Sequence, residues 1–162
     1  MERISAIYEH PLYKRELERI RACEKDRAFC GHDVRHFLDV ARIGRILCLE
    51  RGLGISKELM YAAALLHDIG RARQYEEGLA HDRAGAEIAA DILPDCGFEK
   101  EEIDAICQAI ADHRLSKDTK AEKTELGRIL FEADHLSRDC YACPVEGDCY
   151  WPAEKKNLKI RM

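Results

Sequence analysis

The chain has no long apolar run, no basic excess and no cleanly alternating apolar–polar segment. Its longest apolar stretch lies just ahead of His67 and falls far short of the ~20 residues that a helix needs to cross a bilayer. No membrane association is therefore expected. The opening Met1-Glu2-Arg3-Ile4-Ser5 lacks the apolar core of an export signal, so a cytoplasmic location is expected. The net charge of −5 runs against the basic balance of a general nucleic-acid binder. Without period-two alternation or an internal repeat, neither a sheet nor a repeat array is expected.

What is present is helical. A chain of 162 residues, 46% apolar, suits a single domain around one core. A first helix is expected from Leu12 to Phe29, with Pro11 just ahead of it. A second runs from Asp33 to Glu50 on Phe37, Val40, Ala41, Gly44, Leu47 and Cys48, and ends at Gly52 and Gly54. Ser56 can cap a third, which climbs through Leu59, Ala62, Ala63 and Leu66 to Gly70. A charged loop, Arg71 to Gly78, follows. Further helices are expected from Asp82 to Leu93, stopped by Pro94, and along Ile103, Ile106, Cys107 and Ile110 to His113. A polar loop spans Leu115 to Lys123. Leu126, Ile129, Leu130 and Ala133 mark the last long helix, ending at Asp134-His135. The expectation is an all-α bundle over residues 1–139, with a short cysteine-rich tail, 140–162, packed on it.

Within this frame His67-Asp68 stands out. An apolar helix, Ala62-Ala63-Ala64-Leu65-Leu66, runs into two adjacent metal-ligand side chains. A carboxylate buried beside an imidazole is costly, and a bound cation offsets that cost. His36, His81, His113 and Asp134 supply matching ligands near the ends of other helices. Taken singly, His36 reads more readily as a satisfied core histidine than as a ligand, and the same holds for His113 and Asp134. Together they point to a hydrolytic metal site. Neutral imidazole and carboxylate suit Fe, Mn, Co, Ni or Zn.

At these residues the chain resembles the HD superfamily of metal-dependent phosphohydrolases. The resemblance rests on His36 followed by Val40-Ala41-Arg42, on Ala64-Leu65-Leu66-His67-Asp68-Ile69-Gly70, and on Ala133-Asp134. It implies that His36, His67, Asp68 and Asp134 bind one divalent metal, with Asp68 serving catalysis. His81 and His113 are similar to the second-metal ligands of the two-metal branch, in which Asp68 would bridge. The resemblance implies a small phosphorylated substrate, such as a nucleotide, cleaved at an ester or anhydride by metal-activated water. Arg71 stands where relatives carry a basic residue, and could clamp a phosphate oxygen; Arg138 is a second candidate. Asp112 could orient a neighbour or act as a general acid. His32 forms another His-Asp pair with Asp33, but His36 is the ligand expected of that segment.

Cys140, Cys143 and Cys149 are a separate signal among eight cysteines. A Cys-x-x-Cys turn lets two thiolates grip one metal, Cys149 adds a third, and Cys30 is the best fourth, with Cys23 behind it. Zinc and an iron–sulfur cluster fit four thiolates equally. Cys48 and Cys107 read as small core residues. Lys155-Lys156-Asn157-Leu158-Lys159 reads as a solvated end. Two rival readings remain open: a metal-binding regulator or redox sensor built on the cysteines, and a di-iron oxygenase.

Overall fold

The structure is a computed structural model that describes residues 1–112 and 123–161. It is all-α, and no strand occurs among the described residues. The helices are α1 (Glu2–Glu9), α2 (Pro11–Cys23), α3 (Val34–Glu50), α4 (Lys57–Leu66), α5 (Arg71–Glu77), α6 (His81–Ile92), α7 (Lys100–Asp112) and α8 (Glu125–Leu136), followed by short 3-10 turns in the tail.

Helix α4 is the axis of the fold. Met60 and every residue from Ala62 to Leu66 are buried, because α1, α3, α6, α7 and α8 all touch it. Its alanines let neighbours come close, and Gly44 of α3 does the same from the other side. A Cβ at Gly44 would stand 2.7 Å from the Met60 sulfur. Helix α3 also packs on α8, and α7 bridges α6 and α8, which closes the bundle. Three helix starts carry side-chain caps, that at Ser56 as expected. The side chains of Asp33, Ser56 and Thr124 accept from the backbone N–H groups of His36, Leu59 and Gly127.

Three expectations need correction. The N-terminal segment forms its own helix, α1, which buries Ile4 and Ile7, and α2 stops at Cys23 rather than Phe29. Residues 71–77 are helix, not loop. Helix α5 buries only Ala72, so it shows no apolar stripe; tertiary ties hold it instead. Arg71 pairs with Asp68, Arg19 with Glu76, and the Tyr75 hydroxyl donates to Glu24. The basic tail is not wholly solvated. Asn157 is buried, and its amide donates to the carbonyls of His135 and Arg138, which closes the open end of α8. Lys156 reaches back to the backbone and carboxylate of Glu146.

Candidate metal centre

The site forms where α4 ends. His67 is the C-cap of α4, and a tight turn through Asp68 and Ile69 leads to Gly70. Gly70 has no side chain because there is no room for one. A Cβ there would meet the carbonyl of His81 and lie 2.5 Å from the Gly85 nitrogen. This contact seats the first turn of α6 against the His-Asp turn and brings in His81. His36 enters from the first turn of α3, fixed by the Asp33 cap. Asp134 enters from the last turn of α8.

Four side chains bring ligand atoms within 4.8 Å of one another: His36, His67, Asp68 and Asp134. His36 Nε2 lies 3.2 Å from Asp134 Oδ1, and His67 Nε2 lies 3.2 Å from Asp68 Oδ2. His81 Nε2 lies 3.1 Å from the other oxygen, Asp68 Oδ1. Each imidazole is oriented through its far nitrogen. His67 Nδ1 donates to the Ala64 carbonyl at 2.7 Å, and His81 Nδ1 meets Gln74 Oε1 at 2.6 Å. His36 Nδ1 faces the Ser137 hydroxyl at 3.2 Å, while that hydroxyl donates to the Asp134 carbonyl. A bond at Nδ1 leaves Nε2 as the atom that ligates, which is how imidazoles around metals are held.

The electrostatics agree with a ligand cluster. Burial pushes the Asp68 carboxyl up, but the charges of His67 and Arg71 and the bonds from His67 and His81 hold it well below the usual carboxylate range. Asp134 is held down in the same way by His36, His67 and Arg138. Burial lowers His36 to about 4, with the bond to Asp134 opposing it, so that imidazole is neutral at pH 7. Burial also disfavours the charge on His67, but Asp68 and Asp134 outweigh it and raise the group to about 10. Two ionised carboxylates thus face imidazole nitrogens in a buried site. That donor set fits a divalent transition metal.

The remaining site residues take varied places. Arg71 Nε donates to Asp68 Oδ1 at 2.8 Å, and an Arg138 terminal nitrogen donates to Asp134 Oδ1 at 2.8 Å. Asp112 is buried, with its oxygens taken by Gln108 Nε2 and the Thr124 backbone N–H. Among the described residues it makes no bond to the His/Asp cluster. His113 lies outside the described residues. Cys30, Cys140 and Cys149 line one cavity with Asp134, His32, Arg71 and Arg138, and Cys143 sits one 3-10 turn beyond Cys140.

His32 also reaches this centre, although His36 is the ligand expected of that segment. It is buried, with Nε2 3.6 Å from Asp68 Oδ2 and Nδ1 against Glu24 Oε1. Glu24 Oε2 accepts from the His32 backbone N–H at 2.8 Å. The signal was the second histidine four residues before His36; the backbone there is not helical, so spacing gave no direction for its ring.

The sequence pattern of the HD domain matches residues 33–139. The chain belongs to the HD-domain family. A crystal structure described as a predicted HD superfamily hydrolase, from an uncultured Thermotogales bacterium, superposes with a TM-score of 0.58 at 30% identity. The match covers 76% of this chain and 66% of that one. A Clostridium beijerinckii protein described as uncharacterized is 43% identical over 160 residues, 99% of both chains. Ribonuclease Y of Mycoplasma mycoides is 31% identical over 123 residues, 75% of this HD protein but only 26% of the enzyme. A bifunctional uridylyltransferase/uridylyl-removing enzyme of Cereibacter sphaeroides is 36% identical over 74 residues, 46% of this chain and 7% of that one. Family membership and the hydrolase neighbour support metal-dependent phosphohydrolysis as this domain's general chemistry.

Proposed function

We propose that this HD domain hydrolyses a small phosphorylated substrate of the nucleotide class, at a phosphate ester or phosphoanhydride. One observation carries the reading: a cavity of about 610 Å³ opens beside Asp134 and His32 and is lined by Arg27, Arg71, Arg138 and Lys155. Four cationic side chains around one cavity, in a chain of net charge −5, favour an anionic ligand. Phe29, Phe131, Tyr150 and Trp151 line the same space. Trp151 stacks on His135 at 5.9 Å with 7° between the rings, so it offers a flat face already in place. Cations suit phosphate oxygens and flat rings suit a base. The names of the ribonuclease and uridylyl-removing relatives point to the same kind of compound.

In this reading His36, His67, Asp68 and Asp134 hold the main metal, one of Fe, Mn, Co, Ni or Zn. His81, His113 and Asp68 would hold another. Such a metal, when bound, activates a water and polarises a phosphoryl oxygen. Arg71, fixed on Asp68, and Arg138, fixed on Asp134, hold phosphate oxygens. Asp112 has a supporting place, tying α7 to the start of α8.

The test is a screen of nucleotides and base-free phosphate esters with Mn²⁺, Co²⁺ and Fe²⁺. Metal-dependent release of phosphate or a nucleoside monophosphate is expected. Trp151→Ala should raise KM for the nucleotide and leave it unchanged for a base-free ester. Hydrolysis of base-free esters alone would remove the nucleotide assignment. No hydrolysis with the metal sites full would favour the regulator or oxygenase readings.

A further inference from the structure

Three cysteines, Cys30, Cys140 and Cys149, gather beside the His/Asp centre without belonging to its ligand set. All eight are free thiols, so none is committed to a disulfide. Cys30 comes from the segment between α2 and α3, more than a hundred residues before Cys140, Cys143 and Cys149 in sequence. Yet it lines one cavity with Cys140 and Cys149. Cys143 follows Cys140 by one 3-10 turn, its N–H donating to the Cys140 carbonyl at 3.3 Å. The fold therefore returns a distant cysteine to the cysteine-rich tail.

Four thiolates can hold a single zinc or an iron–sulfur cluster. Around a single tetrahedral zinc, with Zn–S near 2.3 Å, the sulfurs stand about 3.8 Å apart. Cys30, Cys140 and Cys149 stand around a cavity with room for more than one ion. A cluster of several iron and sulfide atoms spreads its thiolates further than one ion does. The surroundings also suit an anionic cluster. Arg138 is within electrostatic reach of Cys30, and Lys156 is within reach of Cys140 and Cys149. Phe29 and Tyr150 meet edge to face, 6.0 Å apart, beside Cys30 and Cys149 and add an apolar cover.

We propose that Cys30, Cys140, Cys143 and Cys149 ligate an iron–sulfur cluster that pins the C-terminal tail beside the His/Asp centre. The cluster bonds residues 140–149 to the segment before α3. It thereby holds the cavity lining contributed by Tyr150, Trp151 and Lys155. Its ligands are none of the His/Asp residues, although Cys30, Cys140 and Cys149 line the cavity proposed for the substrate.

The test is composition, not activity. Protein purified without oxygen, or reconstituted with ferrous iron and sulfide, should hold acid-labile sulfide and show broad visible absorption that bleaches on reduction. Sulfide separates the cluster from any iron at the His/Asp site. Cys143→Ser and Cys30→Ser should each lose the sulfide and the absorption, while Cys23→Ser keeps both. Asp68→Ala should also keep both, because it changes only the other centre. One zinc per chain with no sulfide, removed by Cys143→Ser, would overturn the cluster in favour of a structural zinc. No metal and no sulfide in the wild-type protein after reconstitution would overturn the site altogether. Full sulfide in Cys30→Ser would overturn the choice of fourth ligand.

Discussion

His81 Nε2 lies 3.1 Å from Asp68 Oδ1, on the side of the carboxylate away from the oxygen that faces His67. Asp68 is thus shared between imidazoles on both of its oxygens, and it is fully buried. Removing it strips a donor from every arrangement of one or two metals. Asp68→Ala should lose most of the metal held at the His/Asp centre, measured by elemental analysis after subtracting the iron matched by acid-labile sulfide. Full retention would show that the His/Asp cluster is not the metal site.

Gly70 tests how the site is assembled. An added Cβ meets backbone atoms of His81 and Gly85, and backbone yields less readily than a side chain. Gly70→Ala should push α6 away from the His-Asp turn and cost about 1–3 kcal/mol, the usual range for overpacking. Denaturant unfolding measures the loss. Metal content should fall as well, because His81 moves with α6. An unchanged midpoint would mean that the two turns are not locked together.

These two residues mark what the sequence revealed and what it hid. His67-Asp68 was legible because adjacent ligands at the end of an apolar helix need a reason to be buried. His36 and Asp134 were legible from helix ends and from family resemblance. Helix α5 was hidden because it buries one residue and depends on ion pairs with distant helices. The place of His32 was hidden because its orienting partner, Glu24, lies beyond the end of α2 in a segment without periodicity. Asn157 was hidden because its value lies in the α8 carbonyls that it satisfies, and a sequence does not show them.

Glu24 predicts a pH dependence. Burial raises its carboxyl, but bonds from His32 and Tyr75 outweigh this and lower it to about 2 from an ordinary 4.5. A folded pKa below the unfolded one gives stability that is fully present above the unfolded pKa. That stability is lost as pH falls through the folded pKa. Glu24→Gln should therefore melt below wild type at neutral pH, and the gap should close between about 4.5 and about 2. Melting curves over this range decide. A gap that stays constant would mean that hydrogen-bond shape, rather than charge, accounts for the contribution.

Arg71 separates binding of metal from binding of substrate. Its Nε is fixed on Asp68 Oδ1 at 2.8 Å, one more bond runs to Gln74 Oε1, and the residue lines the cavity. In the proposed reaction it faces charge that grows on the phosphoryl group. Losing one such contact costs on the order of 10²-fold in rate. Arg71→Ala should show that loss in kcat, with metal content unchanged because no proposed ligand is altered. Arg71→Lys should recover only part of it, since an ammonium cannot keep the Asp68 bond and reach a phosphate oxygen with the same planar fork. A normal rate in Arg71→Ala would remove this residue from the reaction. Arg138, whose terminal nitrogen holds Asp134 and faces His36 Nε2 at 3.2 Å, would then be the group to test.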